Sequence, residues 1–185
     1  MSLFWLIIAV VLLLGLAYLI FIIVLLVKRN FILALLFLFF PYFSFKAFQY
    51  YWFTEILPAP IEVSYPLSMG QESGIVMKGC GVAVFKLSES TLAEIEREGL
   101  DFLNRATISR GYNDPYYQFE QWSETPVPQY WVSEGAWFMC AVPNESLVKK
   151  IIKAAKESGS YYTKKREGEL MVIPSLGYVV LSYNG

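Results

Sequence analysis

The sequence has no histidine, only two cysteines in 185 residues, and no acidic residue before Glu55. Without histidine the chain lacks the usual general base near neutral pH and the commonest metal ligand. Two cysteines with no histidine do not make a zinc site. We therefore predict no catalytic residue, no metal site and no cofactor.

Charge is also missing from the start of the chain, where residues 3–27 contain neither a charged residue nor a proline. As a helix these residues would extend about 37 Å, against a hydrocarbon core of about 30 Å. A cleaved signal peptide would instead need a basic region before a shorter apolar core, and a small-residue cleavage site. Because none of these is present, we predict an uncleaved transmembrane helix.

A second apolar run at 31–53 is less uniform, because it contains Pro41 and Lys46. Proline is tolerated in membrane helices, and a lysine near a helix end can extend its ammonium group to the interface. The run ends in aromatic residues typical of the membrane interface: Tyr50, Tyr51 and Trp52. We predict a second span, and the alternative is a re-entrant or interfacial amphipathic segment. Residues 1–53 then form a two-helix membrane anchor.

Lys28 and Arg29 stand between the two runs, and no basic residue precedes the first. The positive-inside rule places this connector in the cytoplasm. With two spans, everything after about Thr54 is then extracytoplasmic, and we assume a bacterial inner membrane. A single span would reverse this orientation.

After residue 53 the chain has twelve basic and all sixteen acidic residues, a net charge of −4. This balance does not resemble a nucleic-acid-binding surface, so we predict no nucleic-acid partner. Residues 54–73 hold three of the prolines and little periodicity, which predicts a linker. The remaining 74–185 are enough for one small extracytoplasmic domain.

Hydrophobic periodicity in 74–185 predicts strands and helices in the order β-α-β-β-α-β, with additional strands. The predicted strands are 74–87, 130–132, 136–142, 160–165, 169–174 and 177–184, and the predicted helices are 88–106 and 144–159. We therefore predict a transmembrane α-helical hairpin followed by a small α+β domain. Its two helices would cover one face of a mostly antiparallel sheet, with a ferredoxin-like fold as one candidate topology.

The stretch 108–131, here called the aromatic segment, has no period that indicates a helix or a strand. Tyrosine and tryptophan offer large contact area with a polar tip, which suits interfaces. The predicted partner-binding residues are Tyr112, Tyr116, Tyr117, Phe119, Trp122 and Trp131. Stacking on envelope sugars is an alternative, and packing into the core of the domain is another.

Seven basic residues in the last third of the chain form a candidate basic patch: Lys149, Lys150, Lys153, Lys156, Lys164, Lys165 and Arg166. Such a patch would contact anionic lipid headgroups or an acidic partner. A solvated helix face followed by a hairpin turn explains the same residues. Cys80 and Cys140 could form a disulfide in an oxidising compartment, or could be two buried residues that never meet.

These observations favour a membrane-anchored interaction protein of the cell envelope, with the lipid bilayer and a protein as its partners. Within that class we expect an immunity or inhibitor protein, followed by an accessory or sensor subunit of a membrane complex. The competing class is an envelope enzyme that acts on peptidoglycan or lipid through carboxylates. Its candidate residues are Asp114, Glu120 and Glu124.

Overall fold

The computed structural model describes residues 3–72, 79–133 and 144–184. The chain divides into two compact units, Met1–Phe48 and Gln49–Gly185. Helix α2 crosses this boundary, so its last two turns belong to the second unit. Each unit is described separately below.

The first unit is a helical hairpin. Helix α1 (Leu3–Val27) and helix α2 (Phe31–Ile56) are joined by three residues. Arg29 takes the left-handed conformation, with φ of 57°. The amide of Asn30 donates to the carbonyl of Leu25 at 2.9 Å, which ends α1 in a tight turn. The predicted hairpin of two helices is confirmed, and Pro41 lies inside α2 without ending it.

Apolar side chains cover the outside of this hairpin, with Leu12 68% and Ile32 77% exposed. A water-soluble surface rarely tolerates a continuous apolar area of this size. Both helices have the length and composition needed to cross a membrane. Inside the hairpin, Ala34 is buried and the rings of Phe21 and Phe37 meet edge to face at 5.0 Å.

In its described residues, the second unit is built on a six-stranded sheet in which every neighbouring pair is antiparallel. Its spatial order is β1-β2-β6-β5-β4-β3, so β6 lies between the hairpins β1–β2 and β4–β5. The strands are β1 (Val63–Glu72), β2 (Cys80–Leu87), β3 (Ser123–Glu124), β4 (Tyr161–Lys165), β5 (Gly168–Ile173) and β6 (Tyr178–Asn184).

Helices cover both faces of this sheet. On one face pack helix α3 (Glu89–Glu98), helix α4 (Leu100–Leu103) and the end of α2, through buried residues such as Phe53, Ile95 and Leu103. On the other face packs helix α5 (Glu145–Lys156), through Leu147, Ile151 and Ala155. The core is therefore two apolar layers, one on each side of the sheet.

The predicted class, a helical hairpin followed by a small α+β domain, is confirmed. The two predicted helices, however, lie on opposite faces of the sheet. The reason is visible in β2, where Val82 and Val84 face α5 while Ala83 and Phe85 face α3. A run that is apolar at every position indicates a strand covered on both sides. The ferredoxin-like topology is also not observed, since that fold places both helices on one face of its sheet, whereas α3 and α5 pack on opposite faces.

Two local predictions differ from the structure. Residues 54–73, interpreted as a linker, contain the end of α2 and the whole of β1. Pro66 does not prevent this strand, because β1 is at the edge of the described sheet and proline is tolerated there. Residues 129–131 form a single helical turn instead of part of a strand, which buries Trp131. The predicted strand 136–142 lies outside the described residues.

Candidate functional site

Three of the six predicted partner-binding residues are core residues. Phe119 is 5% exposed, and Trp122 and Trp131 are each 3% exposed. Trp122 packs on the α3 face of the sheet and donates from Nε1 to the carbonyl of Ala106 at 2.9 Å. Because burial leaves these side chains no surface to offer, their interpretation as contact residues is corrected. They supply the core that a small domain needs.

The other three form what we call the tyrosine cluster: Tyr112, Tyr116 and Tyr117. The rings of Tyr112 and Tyr117 are stacked, with centres 4.1 Å apart and planes 16° apart. Tyr116 meets Tyr117 edge to face at 5.0 Å. Each tyrosine is partly buried, so much of the area that a partner could contact is already used within the domain.

The ammonium group of Lys165 lies beside the tyrosine cluster. Its Nζ lies 4.3 Å from the centre of the Tyr116 ring and donates to the carbonyl of Arg166 at 3.0 Å. The Tyr116 hydroxyl donates to Glu167 Oε2 at 2.9 Å. Burial lowers the pKa of Lys165 to about 8. Burial, together with the Glu167 carboxylate, raises the pKa of Tyr116 to about 12. These contacts attach the aromatic segment to the β4–β5 turn.

The predicted basic patch is divided by the sheet. Lys165 is only 7% exposed and belongs to the face opposite α5, where it meets the tyrosine cluster. Arg166 lies near the same cluster, 5.9 Å from the Tyr116 ring. Lys164 is exposed and pairs with Glu120 at 3.5 Å. Strand alternation separates adjacent residues in this way, so the seven basic residues do not share one surface.

Four lysines remain together on α5 and are here called the lysine face: Lys149, Lys150, Lys153 and Lys156. They are exposed because the helix directs Leu147, Ile151 and Ala155 into the core. Asn144 begins the helix by accepting from the amide of Leu147 at 3.2 Å. Lys149 approaches Glu145 at 3.8 Å and Lys153 approaches Glu157 at 4.0 Å, both as exposed pairs. Such pairs contribute little stability, so these ammonium groups stay accessible.

Two surface hollows run along the lysine face. One, of about 280 Å³, is lined by Lys150, Lys153, Ala154, Glu157, Ser158, Ser160, Ser175 and Leu176. The other is wider and more open, and is lined by Glu145, Ser146, Lys149, Lys150 and Lys153. Lys150 and Lys153 therefore line both. The arrangement places ammonium groups, serine hydroxyls and a small apolar floor side by side.

Two of the three carboxylates considered for catalysis have other contacts. Asp114 Oδ1 accepts from the amide of Tyr116 at 2.8 Å and begins a helical turn. Glu120 pairs with Lys164, and Glu124 is exposed on β3. Within the described ranges, no three His, Cys, Asp or Glu side chains are grouped as metal ligands would be.

One buried carboxyl group, that of Glu169, was not predicted from the sequence. Glu169 on β5 is 7% exposed and faces α5, opposite Ser182 on β6. Burial raises the pKa of Glu169 to about 7, although the Ser182 hydroxyl opposes this change. The available signal was its position, since Glu169 shares strand parity with the apolar residues Met171 and Ile173.

Of the two cysteines, Cys80 begins β2, and Cys140 lies outside the described residues. Their pairing stays a prediction. The same holds for the role of Lys28 and Arg29 in orienting the chain. The chain matches no protein-family model, and neither a curated protein nor a solved structure matches it.

Proposed function

We propose that this protein is a membrane-anchored interaction protein whose α+β domain binds a protein partner through the lysine face. The observation that carries the proposal is the pair of hollows that share Lys150 and Lys153 on an exposed helix. The hairpin supports the membrane-anchored part of the proposal, because its two apolar helices are suited to hold the domain at a membrane.

The partner surface that fits this site is acidic. Lysine ammonium groups with weak, exposed ion pairs remain free to exchange those pairs for carboxylates of a partner. Charge complementarity of this kind mainly increases the association rate and excludes wrong partners. The exposed hydroxyls of Ser158 and Ser175 in the smaller hollow add hydrogen-bonding groups that suit a polar contact.

Within this class, the specific function we propose is that of an immunity or inhibitor protein at the outer face of a bacterial inner membrane. A small domain that acts by binding needs no nucleophile, general base or cofactor, and the chain contains no histidine to serve as a general base. Its target would be a protein that reaches the membrane from the extracytoplasmic side.

Site-specific photo-crosslinking in native membranes tests the binding surface. A photoreactive residue at Lys150 is expected to form a discrete protein adduct. The matched control replaces Glu96, which is exposed on α3 at the opposite face of the sheet. Adding Lys149→Glu and Lys153→Glu should abolish the adduct at 150. Equal adducts at both positions, or none at 150, would contradict the proposed surface.

A competition experiment tests the specific function. If the protein confers immunity, a strain lacking it should be outcompeted by its parent in dense co-culture. The wild-type gene should restore growth, whereas a Lys150→Glu, Lys153→Glu variant at the same membrane level should not. Equal fitness of the two strains would reject immunity and leave the crosslinking result to decide the binding surface.

A further inference from the structure

A small cavity lies between α5 and the sheet, away from the lysine face. Its volume is about 10 Å³, and it is lined by Trp131, Ala155, Glu169, Met171, Val180 and Ser182. A space of this size holds about one water molecule and excludes any organic ligand.

Three polar side chains line this cavity, and each is more than nine-tenths buried. Trp131 is 3% exposed, Glu169 is 7% exposed and Ser182 is 1% exposed. In the part of the chain that the structure describes, the indole Nε1–H of Trp131 has no acceptor. A buried donor left without an acceptor destabilises the fold, because its lost hydration is not replaced.

Among the described residues, the Glu169 carboxyl group accepts one long hydrogen bond. The Ser182 hydroxyl donates to Glu169 Oε2 at 3.5 Å, which is at the long limit for a hydrogen bond. A buried carboxylate normally accepts several short hydrogen bonds. The cavity therefore has an unused donor and an acceptor with free capacity among its lining groups.

The chemistry of these groups selects the occupant. An indole N–H presents its positive end to a bound species and so disfavours a cation. The Glu169 carboxylate disfavours an anion. A water molecule can accept from the indole and donate to the carboxylate at the same time, and it can also accept from the carboxylic acid once Glu169 is protonated.

We propose that this cavity is a binding site for one internal water molecule, which bridges Trp131 Nε1–H and the carboxyl group of Glu169. The water joins the helical turn 129–131 to β5. The site is independent of the proposed function, because it lies beneath α5 and not on its exposed side.

Water-selective nuclear Overhauser spectroscopy tests the site in the full chain, in deuterated detergent micelles with ¹⁵N-labelled tryptophan. The Trp131 indole proton is expected to show a cross-peak to a long-lived water. It is assigned by its contact with the Tyr162 ring, 5.1 Å from the Trp131 ring, and by Trp131→Phe. Trp122 is the control in the same spectrum, because its indole already donates to Ala106 at 2.9 Å.

A cross-peak could also arise when a nearby exchangeable proton passes water magnetisation to the indole. Two conditions remove such protons. Recording at about pH 8.5 leaves Glu169 mostly ionised, since its pKa is about 7. The cross-peak should persist in Ser182→Ala, which has no hydroxyl proton to relay. It should be lost in Ala155→Val, which fills the cavity. A Trp131 indole proton with no more water signal than Trp122 would overturn the proposal, whether or not the filled variant folds.

Discussion

Lys165 Nζ, on β4, lies 4.3 Å from the centre of the Tyr116 ring. The lysines on α5, in contrast, are exposed. The ring faces and the Arg166 carbonyl stabilise the ammonium group, while burial opposes it and lowers its pKa to about 8. Burial is the larger of these two effects, because the pKa of Lys165 falls below the ordinary 10.5. This balance has a measurable consequence.

The unfolding free energy should rise with pH between about 8 and 9.5, because the unfolded chain binds more protons at Lys165 than the folded one. We expect a gain of about 1 kcal/mol, allowing for partial solvent screening. Lys165→Met should remove this dependence, whereas Lys164→Met, at the exposed neighbour, should keep it. Chemical denaturation at several pH values, followed by near-ultraviolet circular dichroism, measures the difference. An unchanged slope in Lys165→Met would contradict the prediction.

Glu169 should produce the opposite dependence. Its pKa is raised from 4.5 to about 7, so its stabilising effect is complete below about pH 4.5 and is lost as the pH rises through 7. Relative to Glu169→Gln, the wild type should lose about 2 kcal/mol between pH 5 and 8. Glu120→Gln, at an exposed carboxylate, is the control and should follow the wild type. Parallel curves for wild type and Glu169→Gln would count against the assignment.

The end of α2 should be indispensable to the second unit. Phe53 is 0% exposed and belongs to the core layer under α3. A chain that begins at Gln49 should be folded in water, whereas one that begins at Thr54 should lose near-ultraviolet dichroism. In the full chain, Phe53→Ala should cost about 3–5 kcal/mol. Tyr51→Ala is the matched control, because Tyr51 is 63% exposed on the same turns. Equal losses in the two variants would be inconsistent with this packing.

The predicted disulfide between Cys80 and Cys140 can be tested by alkylation. Under denaturing conditions without reductant, a paired chain takes up no iodoacetamide, and after reduction it takes up two equivalents. Replacing both cysteines by serine should cost roughly 2–4 kcal/mol, because the bond closes a long loop of the unfolded chain. Mass spectrometry gives the answer directly. Two adducts without reductant would show that the cysteines are not paired.

The predicted orientation depends on Lys28 and Arg29. An alkaline phosphatase fusion after Gly185 should be active, and a fluorescent-protein fusion at the same point should be dark. Reversing both charges to glutamate should lower the phosphatase activity several-fold, because the connector no longer favours the cytoplasm. Lys46→Gln is the control and should leave activity unchanged. A bright fluorescent fusion in the unaltered chain would place the domain in the cytoplasm.

The elements that could be predicted from the sequence are those with a strong period or a strong composition. The apolar hairpin, α3, α5 and the three strands β4 to β6 all follow from such signals. Asn144 was predicted to begin α5 and does so. The edge strand β1 was not predicted, because it contains Pro66 and follows two further prolines, as a linker would, while its pairing with β2 is a long-range property.

The site was less predictable because it also depends on long-range packing. Whether an aromatic residue lies in the core or at the surface depends on which sheet face is covered, and no local pattern encodes this. Trp122 and Tyr116 are six residues apart in one irregular segment, yet only Trp122 is buried in the core. Adjacent lysines 164 and 165 differ in the same way, because strand alternation places them on opposite faces.

The central position of β6 has a consequence for biosynthesis. Strands β2 and β5 each bond to β6 and not to one another, so the two hairpins have no shared ladder until residues 178–184 have been made. Until then β2 and β5 each lack their neighbour β6, so the inner edges of both hairpins stay unpaired. The domain must therefore fold after most of its synthesis is complete, and this interval is when chaperones would be needed most.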